Sequence, residues 1–466
     1  MTPEATLEIH ALKALYADGS LTPRQVVSKI VERTQGLRDR NVWIVEPCME
    51  LSEPYLQALE GLSRDEALAL PLYGIPFAVK DNIDLAGWPT TAGCPAYAYT
   101  PNSSATVVDR LVRAGAVPVG KTNLDQFATG LVGTRSPYGE CKNALDPQLI
   151  SGGSSSGSAV AVALGMAAFA LGTDTAGSGR VPAALNGIVG YKPPLGSWST
   201  AGVVPACASL DCVTVFANSL ADAWAVDAAA KGFDDACAWS RTIAESPAEL
   251  PAKLLLPEAE PLFYGPFAER YRANWHRFAE AAHRAADRGL FSIGTVDTRG
   301  FSEIASILYD GPWVAERWAD LGEFVSAHPE DVFGVTRTIL ESGNRPDLLA
   351  CDQFKAYHRV QQARHDAALL LEDAVLAMPT AGGTFTRDEV RADPIATNSQ
   401  MGLYTNHCNL CDLSALAVPA PGTPTAKSAM AETGAKDLPF GITLFGRFDA
   451  APRLFAVAEA LDEAGE

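Results

Sequence analysis

The chain lacks an excess of basic residues and lacks long hydrophobic runs. Its 36 Lys and Arg residues are outnumbered by 55 Asp and Glu residues, which gives a formal net charge of −19. Because nucleic acids and anionic membrane surfaces carry negative charge, neither is an expected partner. No apolar run approaches the roughly 20 residues that a membrane-spanning helix needs, and residues 1–5 lack the basic and apolar regions of a signal peptide. We therefore expect a globular cytoplasmic protein.

The chain also lacks a disulfide framework. Its nine cysteines are odd in number and irregularly spaced, which is typical of a reduced protein. Cys408 and Cys411 form a Cys-x-x-Cys pair that could be half of a zinc site or a redox pair, but no second pair accompanies it. Because the pair lies in an apolar run with Leu410, Leu413 and Leu416, we predict buried packing, and we expect no metal and no cofactor.

Histidine is missing from two neighbouring loops that are rich in glycine and serine. Residues 152–158 read Gly-Gly-Ser-Ser-Ser-Gly-Ser, residues 172–180 read Gly-Thr-Asp-Thr-Ala-Gly-Ser-Gly-Arg, and all seven histidines lie elsewhere. Glycine-rich loops let backbone N–H groups converge on an anion, and a serine held in such a loop is a candidate nucleophile. Without a histidine nearby, that serine needs another base.

Lys80 is the candidate for that base. It follows a short apolar strand predicted at residues 77–79. Lysine accepts a proton only when it is neutral, and burial lowers its pKa in that direction. Considered alone, Lys80 could instead form an ion pair with Asp81 or another acid.

Together the three segments resemble the amidase signature family. The stretch around Lys80, Gly-Ile-Pro-Phe-Ala-Val-Lys-Asp-Asn, matches the lysine strand of that family, and the two loops match its serine-rich and nucleophile loops. Ser154 follows Lys80 by 74 residues and precedes Ser178 by 24 residues, and these spacings fit as well. The resemblance covers about residues 74–215 and continues more weakly to residues 438–442.

The resemblance implies a role for each of these residues. Ser178 is the nucleophile that attacks an amide carbonyl, and Ser154, held by a cis peptide bond after Gly153, connects it to Lys80. Neutral Lys80 accepts the proton through Ser154. Backbone N–H groups form an oxyanion hole, in which each donor is worth roughly 3 kcal/mol. The expected donors are Thr175, Ala176, Gly177 and Ser178.

Within the family, the chain is most similar to the amidase domain of allophanate hydrolases. General amidases more often carry Gly-Gly-Ser-Ile-Arg at the nucleophile, whereas this chain has Ala176 and Gly179. The resemblance implies deamination of allophanate to N-carboxycarbamate and ammonia through an acyl-enzyme, so the expected partner is a small anionic amide substrate. Another amidase of the family, acting on biuret or malonamate, is the alternative. The segments that carry this similarity are residues 133–139, 175–182, 209–213 and 393–399.

Three residues outside the motifs are expected near the substrate. Allophanate is a carboxylated urea, and arginine binds a carboxylate well through two parallel hydrogen bonds. Tyr309 and Arg317 match the tyrosine and arginine that bind substrate in allophanate hydrolases, and Gly130 is a third expected neighbour of the pocket. The structural alternative is a helix surface pair, because residues eight positions apart lie on one helix face about two turns apart.

The alternation of strands and helices predicts an α/β fold. From Tyr73 to Val215, short apolar runs alternate with helical patterns, including predicted helices at residues 106–114 and 158–166, and a further buried strand is predicted at residues 374–379. This alternation favours a mixed or parallel sheet covered on both faces. The resemblance implies the same architecture, the amidase signature fold, with a central mixed β-sheet between helices.

We expect two parts in the chain. Residues 1–70 are predicted as an N-terminal helical segment, which is either a contact of a homodimer or a helical layer on the same core. Residues 71–466 form the predicted catalytic domain, with a surface connection at residues 245–261 and a helical substrate-binding layer at about residues 262–373. Because the chain ends at Glu466, we expect the C-terminal second domain of full-length allophanate hydrolases to be absent.

Two functions of other classes compete with this hypothesis. Residues 153–157 fit Gly-x-Ser-x-Gly, which would make Ser155 the nucleophile with a distant base such as His407. The resemblance implies instead that Ser155 and the Asp174–Arg180 pair brace the loops. The second alternative is a non-catalytic amidase-like component of an amidotransferase complex, although a scaffold has no need for a matched lysine and two serines.

Overall fold

The computed structural model describes residues 7–431 and 438–465. Residues 1–5, which carried the prediction about a signal peptide, and the terminal Glu466 lie outside the described residues. Over the described ranges, no helix is both long enough and apolar enough to cross a bilayer.

Strands and helices alternate along most of the described chain. The strands are β1 (Trp43–Val45), β2 (Pro76–Lys80), β3 (Val117–Thr122), β4 (Phe169–Asp174), β5 (Val189–Lys192), β6 (Cys212–Ala217), β7 (Lys253–Pro257), β8 (Ser292–Val296), β9 (Ala374–Pro379), β10 (Ser414–Pro419) and β11 (Gly441–Gly446). The helices are α1 (Ile9–Asp18), α2 (Pro23–Gln35), α3 (Met49–Glu60), α4 (Arg64–Ala69), α5 (Thr106–Arg113), α6 (Ser156–Ala163), α7 (Val181–Leu185), α8 (Leu220–Ala230), α9 (Ala268–Asp287), α10 (Arg299–Ala305), α11 (Val314–Ala327), α12 (Gly334–Glu341), α13 (Ala350–Leu370), α14 (Arg387–Ala392), α15 (Ala396–Met401), α16 (His407–Leu410), α17 (Ala426–Ala431) and α18 (Ala451–Gly465).

One mixed sheet joins all of these strands. Their order is β1-β3-β2-β4-β6-β5-β10-β11-β9-β7-β8. β2 pairs in parallel with β3 and β4, and β7 pairs in parallel with β8 and β9, whereas the remaining neighbours are antiparallel. Helices cover the sheet, so the predicted α/β class with a central mixed sheet is confirmed.

The region before the site folds as its sequence pattern indicates. Every residue of β2 is buried, which is typical of a strand with parallel neighbours on both sides and helices on both faces. α5 buries Val107, Val108 and Leu111 on one face. Gly115 ends it with φ of +97°, and a Cβ there would lie 2.9 Å from the backbone of Tyr73. The chain needs glycine at this turn for both reasons.

The helices of the N-terminal segment pack on the main core. Thr22 caps α2 in a capping box with Gln25, as the Thr-Pro pair at its start predicts. Tyr16 Oη donates to the carbonyl of Gly74 at 3.1 Å, and Ser52 Oγ donates to the carbonyl of Pro118 at 2.9 Å. The described part of residues 1–70 therefore forms a layer on the same core, and it also contributes the short edge strand β1, which was not predicted.

The structure differs from the sequence prediction in the middle of the chain. Residues 245–261 were predicted as a surface connection, but they contain β7, in which Leu254, Leu255 and Leu256 are buried. The prediction is wrong there because it was based on the flanking prolines and acids and did not consider the three-residue apolar run between them. The helical layer predicted at residues 262–373 contains five α-helices, α9 to α13, but the edge strand β8 interrupts it.

Two further predictions concern packing. The small-residue helix predicted at residues 158–166 is α6, which begins two residues earlier and ends before Gly165, a residue with φ of +63°. Cys408 and Cys411 are buried in an apolar cluster with Leu410 and Leu413, as predicted. All nine cysteines are described, and each is a free thiol.

Candidate active site

Two neighbouring parallel strands bring the predicted catalytic segments together. β2 ends at Lys80, and β4, which pairs with β2 in parallel, ends at Asp174. Ser178 lies in the loop after β4, and Ser154 lies just before α6, which packs on both strands. Because the carboxyl ends of parallel strands meet at one edge of a sheet, the lysine and both serine loops meet there.

Lys80 is fully buried and contacts two hydroxyl groups. Its Nζ lies 2.8 Å from Ser154 Oγ and 2.7 Å from Thr173 Oγ1. Burial lowers the pKa of Lys80 from its ordinary value of 10.5 to about 7, and nearby carboxylates offset this only in part. Asp81 pairs with Lys121 at 3.2 Å, so the alternative of a Lys80–Asp81 ion pair is wrong.

Thr173 orients the amine, and the sequence prediction did not include it. A neutral amine has two N–H donors and one lone pair. When Lys80 donates one N–H to Thr173, its lone pair is available to the hydroxyl of Ser154. Lys80 is the last residue of β2 and Thr173 is the last but one of the adjacent strand β4, at nearly the same level of the sheet. Their position at the ends of two neighbouring predicted strands was the signal that could have identified Thr173 from the sequence.

Asp125 holds the loop that carries Ser154. The peptide bond between Gly153 and Ser154 is cis, and the backbone N–H of Asp125 donates to the carbonyl of Ser154 at 3.0 Å. A Cβ on Gly153 would collide with Asp125 Oδ2, and a Cβ on Gly130 would lie 2.5 Å from the same oxygen. Gly130 thus allows the buried carboxylate to approach the serine loop, and its expected role beside the substrate stays a prediction.

Ser178 has a different environment from the two groups of the predicted relay. Its residue is 4% exposed, whereas Lys80 and Ser154 are both 0% exposed. Among the described residues, no hydrogen bond joins Ser178 Oγ to Ser154. The structure therefore has the link from Lys80 to Ser154, while the link from Ser154 to Ser178 is not closed. Catalytic hydrogen bonds of ligand-free sites are often long and shorten when substrate is bound.

The predicted oxyanion hole needs one correction. The N–H of Gly177 donates to Asp174 Oδ1 at 2.8 Å, so this group is already engaged by a carboxylate and is not free for an oxyanion. Over the described residues, the N–H groups of Thr175, Ala176 and Ser178 have no hydrogen-bond acceptor in the protein. Three of the four predicted donors remain.

Two buried carboxylates fix the nucleophile loop. Asp174 receives Arg180 Nε at 2.9 Å and Arg180 Nη2 at 3.0 Å, and both side chains are fully buried. Burial raises the pKa of Asp174, but the charge and hydrogen bonds of Arg180, the charge of Lys192 and the N–H of Gly179 together outweigh burial and hold that pKa below its ordinary value. The hydroxyl of Thr175 donates to Asp211, whose pKa burial raises to about 6. These contacts set the backbone that presents the N–H groups.

The Gly-x-Ser-x-Gly alternative lacks the contact that it requires. Ser155 Oγ donates to the carbonyl of Thr173 at 3.1 Å and accepts its N–H at 3.2 Å. His407 is buried between Phe301 and Phe445, with ring centroids 4.7 and 4.8 Å away. Burial lowers the pKa of His407 to about 3. Within the described part of the chain, no hydrogen bond joins Ser155 to His407, and Ser155 is a brace between the two loops.

Tyr309 and Arg317 contact each other, but not as an exposed helix pair. Tyr309 precedes α11, whereas Arg317 lies within it and is 1% exposed. Arg317 Nη2 donates to Tyr309 Oη at 3.3 Å, and the guanidinium lies 5.3 Å from the centre of the Tyr309 ring. Arg317 Nη1 donates to Thr129 Oγ1 at 3.2 Å. The surface-pair alternative is wrong, because a buried guanidinium here reaches the loop that contains Gly130.

Known proteins resemble this chain over most of its length. A family model described as Amidase matches residues 25–451. A urea amidolyase of Lachancea kluyveri is 43% identical over 403 residues, which cover 84% of this chain and 21% of that protein. The chain therefore spans about a fifth of the length of this curated relative.

Two other similarities cover more of the related protein. A glutamyl-tRNA(Gln) amidotransferase subunit of Deinococcus radiodurans is 32% identical over 479 residues, which cover 96% of this chain and 95% of that protein. A solved structure of Kluyveromyces lactis allophanate hydrolase superposes with a TM-score of 0.87 at 36% identity, and covers 99% of this chain and 73% of that one.

Proposed function

This chain belongs to the amidase signature family, and from that premise we propose that it hydrolyses allophanate with Ser178 as nucleophile and Lys80 as base. The observation that carries the mechanism is the buried Lys80 amine, 2.8 Å from the Ser154 hydroxyl. The substrate assignment is supported by 36% identity to an allophanate hydrolase over nearly the whole chain.

The first half of the proposed reaction forms an acyl-enzyme. Ser178 Oγ attacks the terminal amide carbon of allophanate and gives its proton to Ser154, whose own proton passes to Nζ of Lys80. The N–H groups of Thr175, Ala176 and Ser178 stabilise the resulting oxyanion. When the C–N bond breaks, the leaving nitrogen takes a proton from Ser154, which regains one from Lys80. Ammonia leaves and Lys80 is neutral again.

The second half of the reaction repeats the relay with water. Ser154 and Lys80 take a proton from the water as its oxygen attacks the acyl carbon, and Ser178 recovers a proton when its ester bond breaks. The products are N-carboxycarbamate and ammonia, with one water consumed. Each half needs a neutral amine at its start, which is the state that burial favours for Lys80 near pH 7.

The helical layer would supply the substrate-binding residues. Tyr309 and Arg317 come from residues 262–373, and Arg317 reaches Thr129 on the sheet side of the site. The proposed ligand of this pair is the carboxylate of allophanate, since a guanidinium binds a carboxylate through charge-assisted hydrogen bonds. We keep two further proposals, a reduced cytoplasmic location and a homodimer formed through the outer helices of residues 1–70.

A substrate panel tests the proposed function. The purified chain is assayed for ammonia release from allophanate, biuret, malonamate, acetamide and glutamine under identical conditions. We expect a kcat/KM for allophanate at least about 100 times that for any other compound, because about 3 kcal/mol of discrimination is typical where a buried charged group loses its partner. Preferential hydrolysis of biuret or malonamate would reassign the substrate within the family. Absence of ammonia from every compound would favour the non-catalytic role in an amidotransferase complex.

The pH dependence of the reaction follows from the state of Lys80. Its pKa is about 7, and only the neutral form accepts a proton, so activity is present above that pH and is lost below it. We expect kcat/KM to fall about tenfold per pH unit below 7 and to level off above it. The measurement is kcat/KM for allophanate from pH 5.5 to pH 9.5. A profile that keeps rising toward pH 10 would indicate an ordinary lysine.

A further inference from the structure

Arg135 and Arg317 converge on a single residue of the site. Arg135 Nη1 donates to the carbonyl of Thr129 at 3.0 Å, while Arg317 Nη1 donates to Thr129 Oγ1 at 3.2 Å. The second terminal nitrogen of Arg135 donates to the carbonyl of Pro394 at 2.7 Å. Both side chains are 1% exposed. Two guanidinium groups are thus buried around one residue, and the charge of one acts on the other, although they are 182 positions apart in the chain.

Neither guanidinium forms a salt bridge with an acid among the described residues. The Nε of Arg135 and the Nε of Arg317 are buried and have no hydrogen-bond partner there. Three acids act on the pair through their charge, Asp125 on Arg135, and Asp211 and Glu316 on Arg317. Each carboxylate accepts its hydrogen bonds from other groups: Asp125 from the backbone N–H groups of Val132, Gly133 and Arg135 itself, Asp211 from Thr175 and the backbone of Ala206 and Cys207, and Glu316 from Ser209 and Trp313. Burying a charge without a counter-ion is unfavourable. Two neighbouring guanidinium groups without a salt bridge are therefore a place where an anion would be stabilised.

Arg180 shows how the same chain treats a structural arginine. It is also fully buried, but two of its nitrogens hold the carboxylate of Asp174 at 2.9 and 3.0 Å. In this chain, a buried arginine with a purely structural role therefore forms a salt bridge with a buried carboxylate. Arg135 and Arg317 form no such salt bridge in the described residues, and this contrast distinguishes them from Arg180.

A cavity lies beside this pair. It has a volume of about 330 Å³ and is lined by Arg135 and Tyr309, together with Asn398 and Asn406, and Asp310 is its one acidic lining residue. Arg317 does not line this cavity itself and lies behind Tyr309. Tyr309 Oη is the group that touches Arg317. The space is large enough for a small planar anion and carries donors on several sides.

We propose that Arg135 is a specificity-determining residue, which adds a second buried positive charge to the anion site of Arg317 and makes a negative charge on the substrate a requirement for tight binding. The proposal deepens the proposed function and rests on it for the identity of the anion as a small carboxylate. With a net charge of −19 on the chain, the attraction of an anion depends on such a local field. Arg135 acts through its charge, because its Nε is buried and its two terminal nitrogens already donate to carbonyls.

The test measures binding of malonate, a small dicarboxylate that contains no amide bond and is not consumed. Titration calorimetry gives its Kd for the wild type, Arg135→Gln, Arg135→Lys and the control Arg110→Gln. Arg110 is a matched control, because it also donates to backbone carbonyls, those of Ala230, Gly232 and Phe233, away from this site. We expect Kd to rise at least about 30-fold in Arg135→Gln, by less than about fivefold in Arg135→Lys, and to stay unchanged in the control.

The two arginine variants separate charge from bracing. A brace for the Thr129 and Pro394 carbonyls would be lost in both variants, so equal weakening in Arg135→Lys and Arg135→Gln would overturn the proposal. Wild-type protein that does not bind malonate would also overturn it. If Arg135→Gln does not fold, retention of binding in Arg135→Lys supports the role of charge, and its loss contradicts it.

A second readout distinguishes failure of this proposal from failure of the proposed function. Allophanate carries a carboxylate at the position where biuret carries a neutral carboxamide. We expect Arg135→Gln to lower kcat/KM for allophanate about 100-fold and for biuret less than about threefold. If malonate binding depends on Arg135 but the protein does not hydrolyse allophanate, the proposed anion site is supported and the proposed substrate is wrong. If the protein hydrolyses allophanate and the rate does not depend on Arg135, the proposed substrate is supported and the proposed role of Arg135 is wrong.

Discussion

Replacement of Ser178 with alanine is expected to lower kcat for allophanate by about 10⁴-fold or more, with little change in substrate binding. The hydroxyl is the atom that forms the acyl-enzyme, so its loss removes the reaction path and not a binding contact. The residual rate over water comes from the oxyanion donors and from binding alone. The measurement is steady-state ammonia release, with KM or malonate affinity as the binding readout.

The matched control for this variant is Ser155→Ala. Ser155 directly follows Ser154 in the serine-rich loop, and in the described part of the chain its hydroxyl hydrogen-bonds only to the backbone of Thr173. We expect Ser155→Ala to keep activity within about tenfold of the wild type, because a neutral hydrogen bond contributes about 1 kcal/mol. Full activity in Ser178→Ala together with loss in Ser155→Ala would assign the nucleophile to the Gly-x-Ser-x-Gly motif instead.

Replacement of Lys80 with methionine is expected to lower kcat/KM by about 10³-fold to 10⁴-fold. Methionine has a similar length and no basic nitrogen, so Ser154 has no group to receive its proton. The loss should persist at every pH, because no other titratable group contacts Ser154 in the described residues. The measurement is kcat/KM for allophanate across the pH range in which the wild type is active.

Lys80→Arg distinguishes a base from a fixed positive charge. Arginine stays protonated at any accessible pH, so it would keep an electrostatic role and lose a role as base. We expect Lys80→Arg to be as inactive as Lys80→Met. Substantial activity in Lys80→Arg would mean that the lysine acts in its protonated form, which contradicts the proposed relay.

The segments that carry the chemistry were the most predictable part of the chain. Lys80, Ser154 and Ser178 lie in short motifs whose composition is required by backbone geometry, such as glycine where a carboxylate or a second backbone must approach closely. β9 was predicted from its apolar run with the bounds that the structure has. Local sequence is sufficient where one strand or one loop determines the result.

Other features depend on parts of the chain that meet only after folding. β7 contains a run of three leucines in a segment with prolines on both sides. The burial of these leucines follows from the pairing of β7 with β8 and β9. The N–H of Gly177 was expected to be free, but the conformation of the loop points it at Asp174. The contact between Arg317 and Thr129 joins residues 188 positions apart. None of these is encoded in a local pattern.

The most direct test of the account is the pKa of the Lys80 amine in the folded protein. The chain contains 11 lysines, so a spectrum of protein labelled with ¹³C at lysine Cε is simple, and the signal missing from Lys80→Met identifies Lys80. We predict that this signal titrates with a midpoint near pH 7, with the other lysines titrating well above it. A midpoint at or above 10.5, the ordinary value for lysine, would contradict a neutral base and with it the proposed mechanism.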